Sequence, residues 1–289
     1  MPRVADLAEL VRAPAALSVP GDVIAGAAAA GTLGPRTPAL AAASVLLYWA
    51  GMAANDWADR ELDAVERPER PIPSGRVSPG LAVGVAAGLT AAGVGLAAAA
   101  GGRRATAVAL PLAAAVWGYD LAAKNTAAGP AVMAACRGLD VLLGAAGGRP
   151  IRALPAAVTV AAHTWTVTAL SRREVSGADR ALPVSTLAGT ALVAASATLP
   201  PTRRPAPAAD ATLPTILTAW YATRYGTAQA RAVAEPTAAR VRSAVGAGIT
   251  GLPALQGALI ARAGSGLLGL AVAAAAPLGR RLARKVSPT

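Results

Sequence analysis

The sequence predicts an all-α, polytopic membrane helix bundle of nine or ten transmembrane helices, with its polar loops gathered on the cytoplasmic side. Three observations carry this. Of the 289 residues, 54% are hydrophobic and only 15% charged, against about a quarter charged in an ordinary soluble domain. Apolar runs of roughly the 20 residues that a bilayer requires recur along the whole chain. The basic residues that give the net charge of +12 stand at the ends of those runs, as at Arg103-Arg104, Arg172-Arg173, Arg203-Arg204 and Arg280-Arg281. One basic stripe would point to nucleic acid; this punctuation is the pattern of membrane loops and argues against that partner.

The apolar runs fall at 14–34, 38–58, 80–100, 104–122, 130–148, 153–171, 182–200, 208–230, 241–262 and 265–280. Breaks are supplied by Gly34-Pro35, Gly101-Gly102, the stretch Gly147 to Pro150, and Pro200-Pro201. The apolar residues are mostly Ala, Val, Leu and Gly, with no Phe; small residues let helices approach closely where lipid removes most of the drive from burial. The first run, from Pro14 to Gly34, reads as a spanning helix and not a cleaved leader. Cys136 is the single cysteine, which leaves no internal disulfide and no Cys-based metal site. The whole of 1–289 reads as one transmembrane domain.

Orientation follows from the loops. The even loops and both termini hold most of the Arg and Lys, including Arg60, Arg67, Arg70, Arg76, Lys124, Arg172, Arg173, Arg180, Arg240, Arg242 and the tail at 280–285. The odd loops hold fewer. The bias places both termini in the cytoplasm of a multi-pass protein of the cell membrane.

The acidic residues carry the functional signal. There are only fifteen, and Asp56, Asp59, Glu61, Asp63, Glu66 and Glu69 crowd into one segment after the second run. Asn55, Asp59 and Asp63 are spaced i, i+4, i+8, which on a continuing helix stacks them on one face. Like charges at that spacing repel. Oxygen ligands without His or Cys select a hard cation such as Mg²⁺, which readily shares its shell with phosphate. Arg67, Arg70 and Arg76 follow in a proline-stiffened stretch, and guanidinium groups grip phosphate oxygens in a bidentate fork. Metal ligands beside an arginine arc suit a diphosphate leaving group, on which negative charge grows as the C–O bond breaks.

Asn55-x-x-x-Asp59-x-x-x-Asp63, followed by Arg67, Arg70-Pro71 and Ser74-Gly75-Arg76, resembles the first Asp-rich motif of the UbiA superfamily of intramembrane prenyltransferases. Gly118-Tyr119-Asp120-Leu121-Ala122-Ala123-Lys124 resembles that family's Tyr/Lys loop after the fourth helix. The spacing of the two segments by two helices suggests an internal repeat, helices 1–4 against 5–8. The resemblance implies a UbiA-like bundle in which Asn55, Asp59 and Asp63 hold Mg²⁺ with Asp56 as neighbour. It implies that Tyr119, Asp120 and Lys124 act near the diphosphate or the departing allylic carbon. It also implies an isoprenyl diphosphate and a small acceptor, aromatic or another nucleophile, as substrates within the lipid bilayer.

The sequence departs from the family after the sixth run. There Ser171-Arg172-Arg173-Glu174-Val175-Ser176-Gly177-Ala178-Asp179-Arg180 offers only Glu174 and Asp179 as second metal ligands, with Arg172 and Arg173 as added phosphate-binding charge. In this it resembles a divergent branch that includes the EboC-like proteins. Within the runs, Asp22, Arg137 and Asp140 are candidates for a polar substrate cavity, since intramembrane charges are rare and usually functional. Arg137 and Asp140, i and i+3, could instead pair with each other. His163, the only histidine, reads as a base for the acceptor or as a hydrogen-bonded packing residue. An intramembrane terpene cyclase would use the same ionisation, and an ion-coupled transporter would carry charges nearer the midplane.

Overall fold

A computed structural model describes residues 2–198 and 208–275. Among the described residues there is no strand. The helices are α1 (Val4–Leu10), α2 (Pro20–Ala30), α3 (Thr37–Ala58), α4 (Arg60–Glu66), α5 (Pro79–Gly118), α6 (Gly129–Gly144), α7 (Leu154–Ser171), α8 (Ala181–Thr198), α9 (Ala208–Ala234), α10 (Ala238–Arg262) and α11 (Gly266–Ala275). The pairs Arg203-Arg204 and Arg280-Arg281, the break at Pro200-Pro201 and the tail at 280–285 lie outside the described residues.

Helix starts follow local chemistry. Proline opens α2, α3, α5, α6 and α7 within the first two positions, where its missing N–H costs nothing. Ser78 caps α5 by accepting from the Leu81 amide at 3.3 Å, and Thr237 caps α10 by accepting from Arg240 at 3.4 Å; each satisfies a donor left over in the first turn.

α5 consists of two arms. Gly102, at φ 61° and ψ −155°, departs from helical geometry inside it, a conformation open essentially to glycine. The runs 80–100 and 104–122 are therefore two helices folded about Gly102. The first run differs from expectation. Ala13–Ser18 forms a 3₁₀ turn, and the α-helix begins only at Pro20 and stops at Gly31, whose φ of 70° ends it left-handed.

By length and composition, α3, the span Pro79–Ala123, the span Gly129–Gly147, α8 and α10 are long and apolar enough to cross a membrane, and α11 is a shorter apolar helix. α2 has 11 residues, α7 carries His163 and five threonines or serines, and α9 carries Arg224 and Arg231. Length keeps α2 outside that set, and these polar residues keep α7 and α9 outside it.

The helices pack in chain order around the bundle. α3 lies on α5, α5 on α6, α6 on α7, α7 on α8, α8 on α9 and α9 on α10, while α2 touches α3, α6 and α10 and closes the ring. Small residues set the tightest crossing. A Cβ on Gly26 would sit 1.7 Å from the Val141 carbonyl oxygen, and one on Gly144 would sit 1.9 Å from that of Val23. α2 and α6 thus meet backbone to backbone, as glycines permit in lipid. At one end of the bundle an apolar cluster of Leu10, Ala53, Ala54, Ile72, Val77 and Ala82, with Trp49, Trp57 and Trp117 packed on it, fastens α1 and the 67–78 loop over α3 and α5. Trp117 Nε1 also donates to Thr90 at 3.1 Å.

Candidate functional site

The acidic segment sits where α3 ends. The sequence suggests one continuous helix through Asp63, but Ala58 ends α3, Asp59 takes φ −89° and ψ 3°, and α4 starts at Arg60. The i→i−4 bonds survive the bend: Asp59 N donates to Asn55 O at 2.9 Å and Asp63 N to Asp59 O at 2.8 Å. Asn55, Asp59 and Asp63 therefore keep their succession while the axis turns, and the acids divide into two groups.

The inner group joins α3 to the end of α5. Beyond Gly118 the helix widens to a π turn over Tyr119–Ala123, closed by Lys124 N donating to Tyr119 O at 2.9 Å; such turns re-aim side chains and recur at functional positions. Here the turn buries Asp120 and directs it at α3, where Asn55 Nδ2 donates to Asp120 Oδ1 at 3.0 Å. Lys124 Nζ lies 2.5 Å from Asp59 Oδ1, a charge contact lying off the line of an aligned hydrogen bond. Tyr119 is half-buried at the head of the same turn.

The outer group is held by arginines. Arg70 Nη1 reaches Asp63 at 2.6 Å and Asp56 at 3.4 Å, and Arg67 lies 3.7 Å from Asp63. Arg12 Nη2 lies 2.8 Å from Asp56. Arg12 takes φ 48° and ψ 49°, a left-handed conformation that is costly for a side chain of this size and that clusters at functional positions. Sequence reading gave Arg12 no part in the site. Its one signal was a basic residue before the first run on the acid-rich side.

Other predicted residues lie elsewhere. Arg76 leaves the arginine arc and pairs with Glu9 at 2.6 Å and Asp6 at 2.9 Å, which fastens α1. Hydrogen bonds from Arg3 first, and then from Arg76, hold the Asp6 carboxyl well below the usual carboxylate range. Asp179 Oδ1 accepts from the Leu182 amide at 3.0 Å and so caps α8. Burial pushes the Glu174 carboxyl up against the opposing pull of Arg242, whose Nη2 donates to the Glu174 carbonyl at 3.1 Å. Arg172 Nη1 donates to the Thr126 carbonyl, which ties the 171–180 loop to the end of the Tyr/Lys loop. Arg173 is exposed.

The charged residues between the helices form a separate network. Arg137 Nε pairs with Asp22 at 2.8 Å, not with Asp140. Gln256 Nε2 donates to Asp22 Oδ1 at 2.6 Å and to the Ser18 carbonyl at 2.9 Å. Asp140 accepts from the Ser44 hydroxyl. His163 is fully buried, with Nδ1 2.9 Å from the Tyr221 hydroxyl and its ring edge-on to Tyr221 and Tyr225. These contacts suit a hydrogen-bonded packing residue.

Among the described residues, no three of His, Cys, Asp and Glu converge in the manner of a preformed metal site. The donors at Asn55, Asp59 and Asp120 nevertheless suit a hard cation, being oxygen-only. Asp120 supplies the specific indication: it is buried, and its hydrogen-bond partner among the described residues, Asn55, is neutral. A buried carboxylate without a paired charge is costly, and Mg²⁺ there would supply the balance.

Comparison with known proteins bears on most of the chain. Residues 18–281 match the family described as the UbiA prenyltransferase family. An 81-residue stretch is 47% identical to a digeranylgeranylglyceryl phosphate synthase of Natronomonas pharaonis. That match spans 27% of this chain and 29% of the relative, so less than a third of the relative's length is covered. Two solved structures share the architecture. One, from work on digeranylgeranylglyceryl phosphate synthase in membranes, gives a TM-score of 0.69 at 18% identity over 89% of this chain and 97% of its own. The other, an apo UbiA homologue from Aeropyrum pernix K1, gives 0.62 at 21% identity over 88% and 96%. At these identities the likeness speaks for the fold.

Proposed function

Because the chain belongs to the UbiA prenyltransferase family, we propose that it ionises an allylic isoprenyl diphosphate at the Asn55–Asp63/Tyr119–Lys124 site and transfers the prenyl group to a nucleophilic acceptor. The observation that carries the reading is the Asn55–Asp120 contact, which joins the two predicted motifs across the end of the bundle. Asn55, Asp59 and Asp120 would hold Mg²⁺, joined by Asp63 on its release from Arg70 and Arg67, and the ion would supply positive charge to the departing diphosphate. Lys124, Arg70 and Arg12 add cations around the same space, so that charge growing on the leaving oxygens meets fixed partners at little reorganisation cost.

In the reaction the C–O bond breaks with its electron pair staying on the diphosphate. The allylic carbon then bonds the acceptor, which loses a proton. The face or hydroxyl of Tyr119 would steady the allylic cation. The acceptor class first in line is a glyceryl phosphate lipid, since the Natronomonas relative is named for the synthesis of one. The basic bias of the loops supports a site on the cytoplasmic side with both termini there.

The test is incubation of the purified protein in lipid with labelled geranylgeranyl diphosphate and Mg²⁺, with and without geranylgeranylglyceryl phosphate. Transfer predicts labelled ether lipid only when the acceptor is present. A labelled cyclic hydrocarbon formed without acceptor would replace transfer by cyclisation.

A further inference from the structure

A cavity of about 1780 Å³ opens between α7 and α8, runs from Arg149 and Arg152 at the end away from the acids to Trp165 and Thr166 in the second half of α7, and reaches α2 and α10. Its walls are apolar, with Ile151, Val158, Leu192 and Trp165 all exposed large side chains. Its rim is basic: Arg149, Arg152 and Arg262 line it, and among the described residues no carboxylate does. Arg262 Nη1 donates to the Ser196 carbonyl at 2.6 Å. Among the described residues, the Arg149 and Arg152 side chains have no ion-pair or hydrogen-bond partner, and both are exposed. A cavity apolar along its depth and cationic at its mouth complements an amphipathic anion.

We propose that this cavity is a binding site for an anionic phospholipid of the leaflet opposite the acidic site, its phosphate on Arg149 and Arg152 and an acyl chain along α7 and α8. The distance favours a lipid over the prenyl substrate. α7 has 18 residues and so is about 27 Å long, which separates the Arg149–Arg152 rim from the end where Arg172 meets Thr126. A molecule with its phosphate at the rim cannot present that phosphate to Asp59 or Lys124.

Trp165, 40% exposed on the cavity wall, is a built-in reporter. Tryptophan quenching is measured in vesicles carrying brominated-chain phosphatidylglycerol or brominated-chain phosphatidylcholine, and the Trp165 share is taken as the difference between wild type and W165L. The expected result is Trp165 quenching with about a tenfold preference for phosphatidylglycerol, falling towards unity in R149Q/R152Q. Equal quenching by both lipids in the wild type would overturn the proposal. Absence of any Trp165-dependent quenching would overturn it in favour of a protein segment or second copy filling the cavity. Relief by inorganic phosphate would overturn the lipid as occupant, because the arginines would then bind the free ion. Relief by geranylgeranyl diphosphate without divalent metal would reassign the cavity to the substrate chain. The readout needs no turnover, so its failure is separable from failure of the proposed transfer reaction.

Discussion

Asn55 and Asp120, 65 residues apart, meet at 3.0 Å where α3 ends and the π turn after α5 begins. This contact ties the acid-rich segment to the Tyr/Lys loop and leaves Asp120 buried beside a neutral amide. Replacing Asp120 by Asn keeps the size and removes the charge. The expected outcome is a loss of roughly 10²–10³ in kcat/KM for prenyl transfer, the scale of one removed electrostatic partner, with an unchanged circular dichroism spectrum. Turnover within a few-fold of wild type would remove Asp120 from the site.

Arg12 faces Asp56 from a left-handed backbone position, and its guanidinium is set among the groups proposed to receive the diphosphate. R12Q is expected to raise KM for the prenyl diphosphate by roughly tenfold or more, the worth of a charge-assisted hydrogen bond, with a smaller change in kcat. R12K should recover part of the loss. Saturation kinetics on the three proteins decides it.

The Asp22–Arg137 pair is buried between α2 and α6. Removing one partner strands a charge, so D22N and R137M should each destabilise the protein by about 3–5 kcal/mol. The double variant should lose less than the sum of the two. Unfolding in mixed micelles across the full cycle measures the coupling.

The latch at Asp6 has a defined pH window. Because its folded carboxyl is held low by Arg3 and Arg76, its contribution is present above the unfolded value of about 3.9 and is lost as pH falls through the lower folded value. D6N should therefore unfold at a lower temperature than wild type at pH 7. The gap should hold between pH 5 and 8 and close on acidification below about pH 4. Thermal unfolding of both proteins across that range follows it.

Much of this arrangement is legible in the sequence, because a scarce signal is easy to see. With only fifteen acids in the chain, their crowding after α3 marks one end of the bundle, and Pro, Gly and Arg mark most helix ends. What escaped depends on chain geometry over long separations. Arg12 reaches Asp56 across 44 residues only because the backbone turns left-handed before Ala13–Ser18. Arg137 looks locally paired with Asp140, yet the close approach of α2 and α6 at Gly26 and Gly144 accompanies an ion pair with Asp22 instead. The arc of Arg67, Arg70 and Arg76 divides because Asp6 and Glu9 of α1 claim Arg76. The continuous acidic helix fails at Asp59, whose backbone leaves the α region where α3 ends.

The central claim is that the oxygen side chains around Asp59 activate a diphosphate. Release of diphosphate from labelled geranylgeranyl diphosphate, followed in lipid with acceptor present, tests it most directly. The account predicts that release requires Mg²⁺ and falls by roughly 10²–10³ in D59N and in D63N. Release at the wild-type rate by either variant, or by wild type with divalent metal chelated, would contradict it.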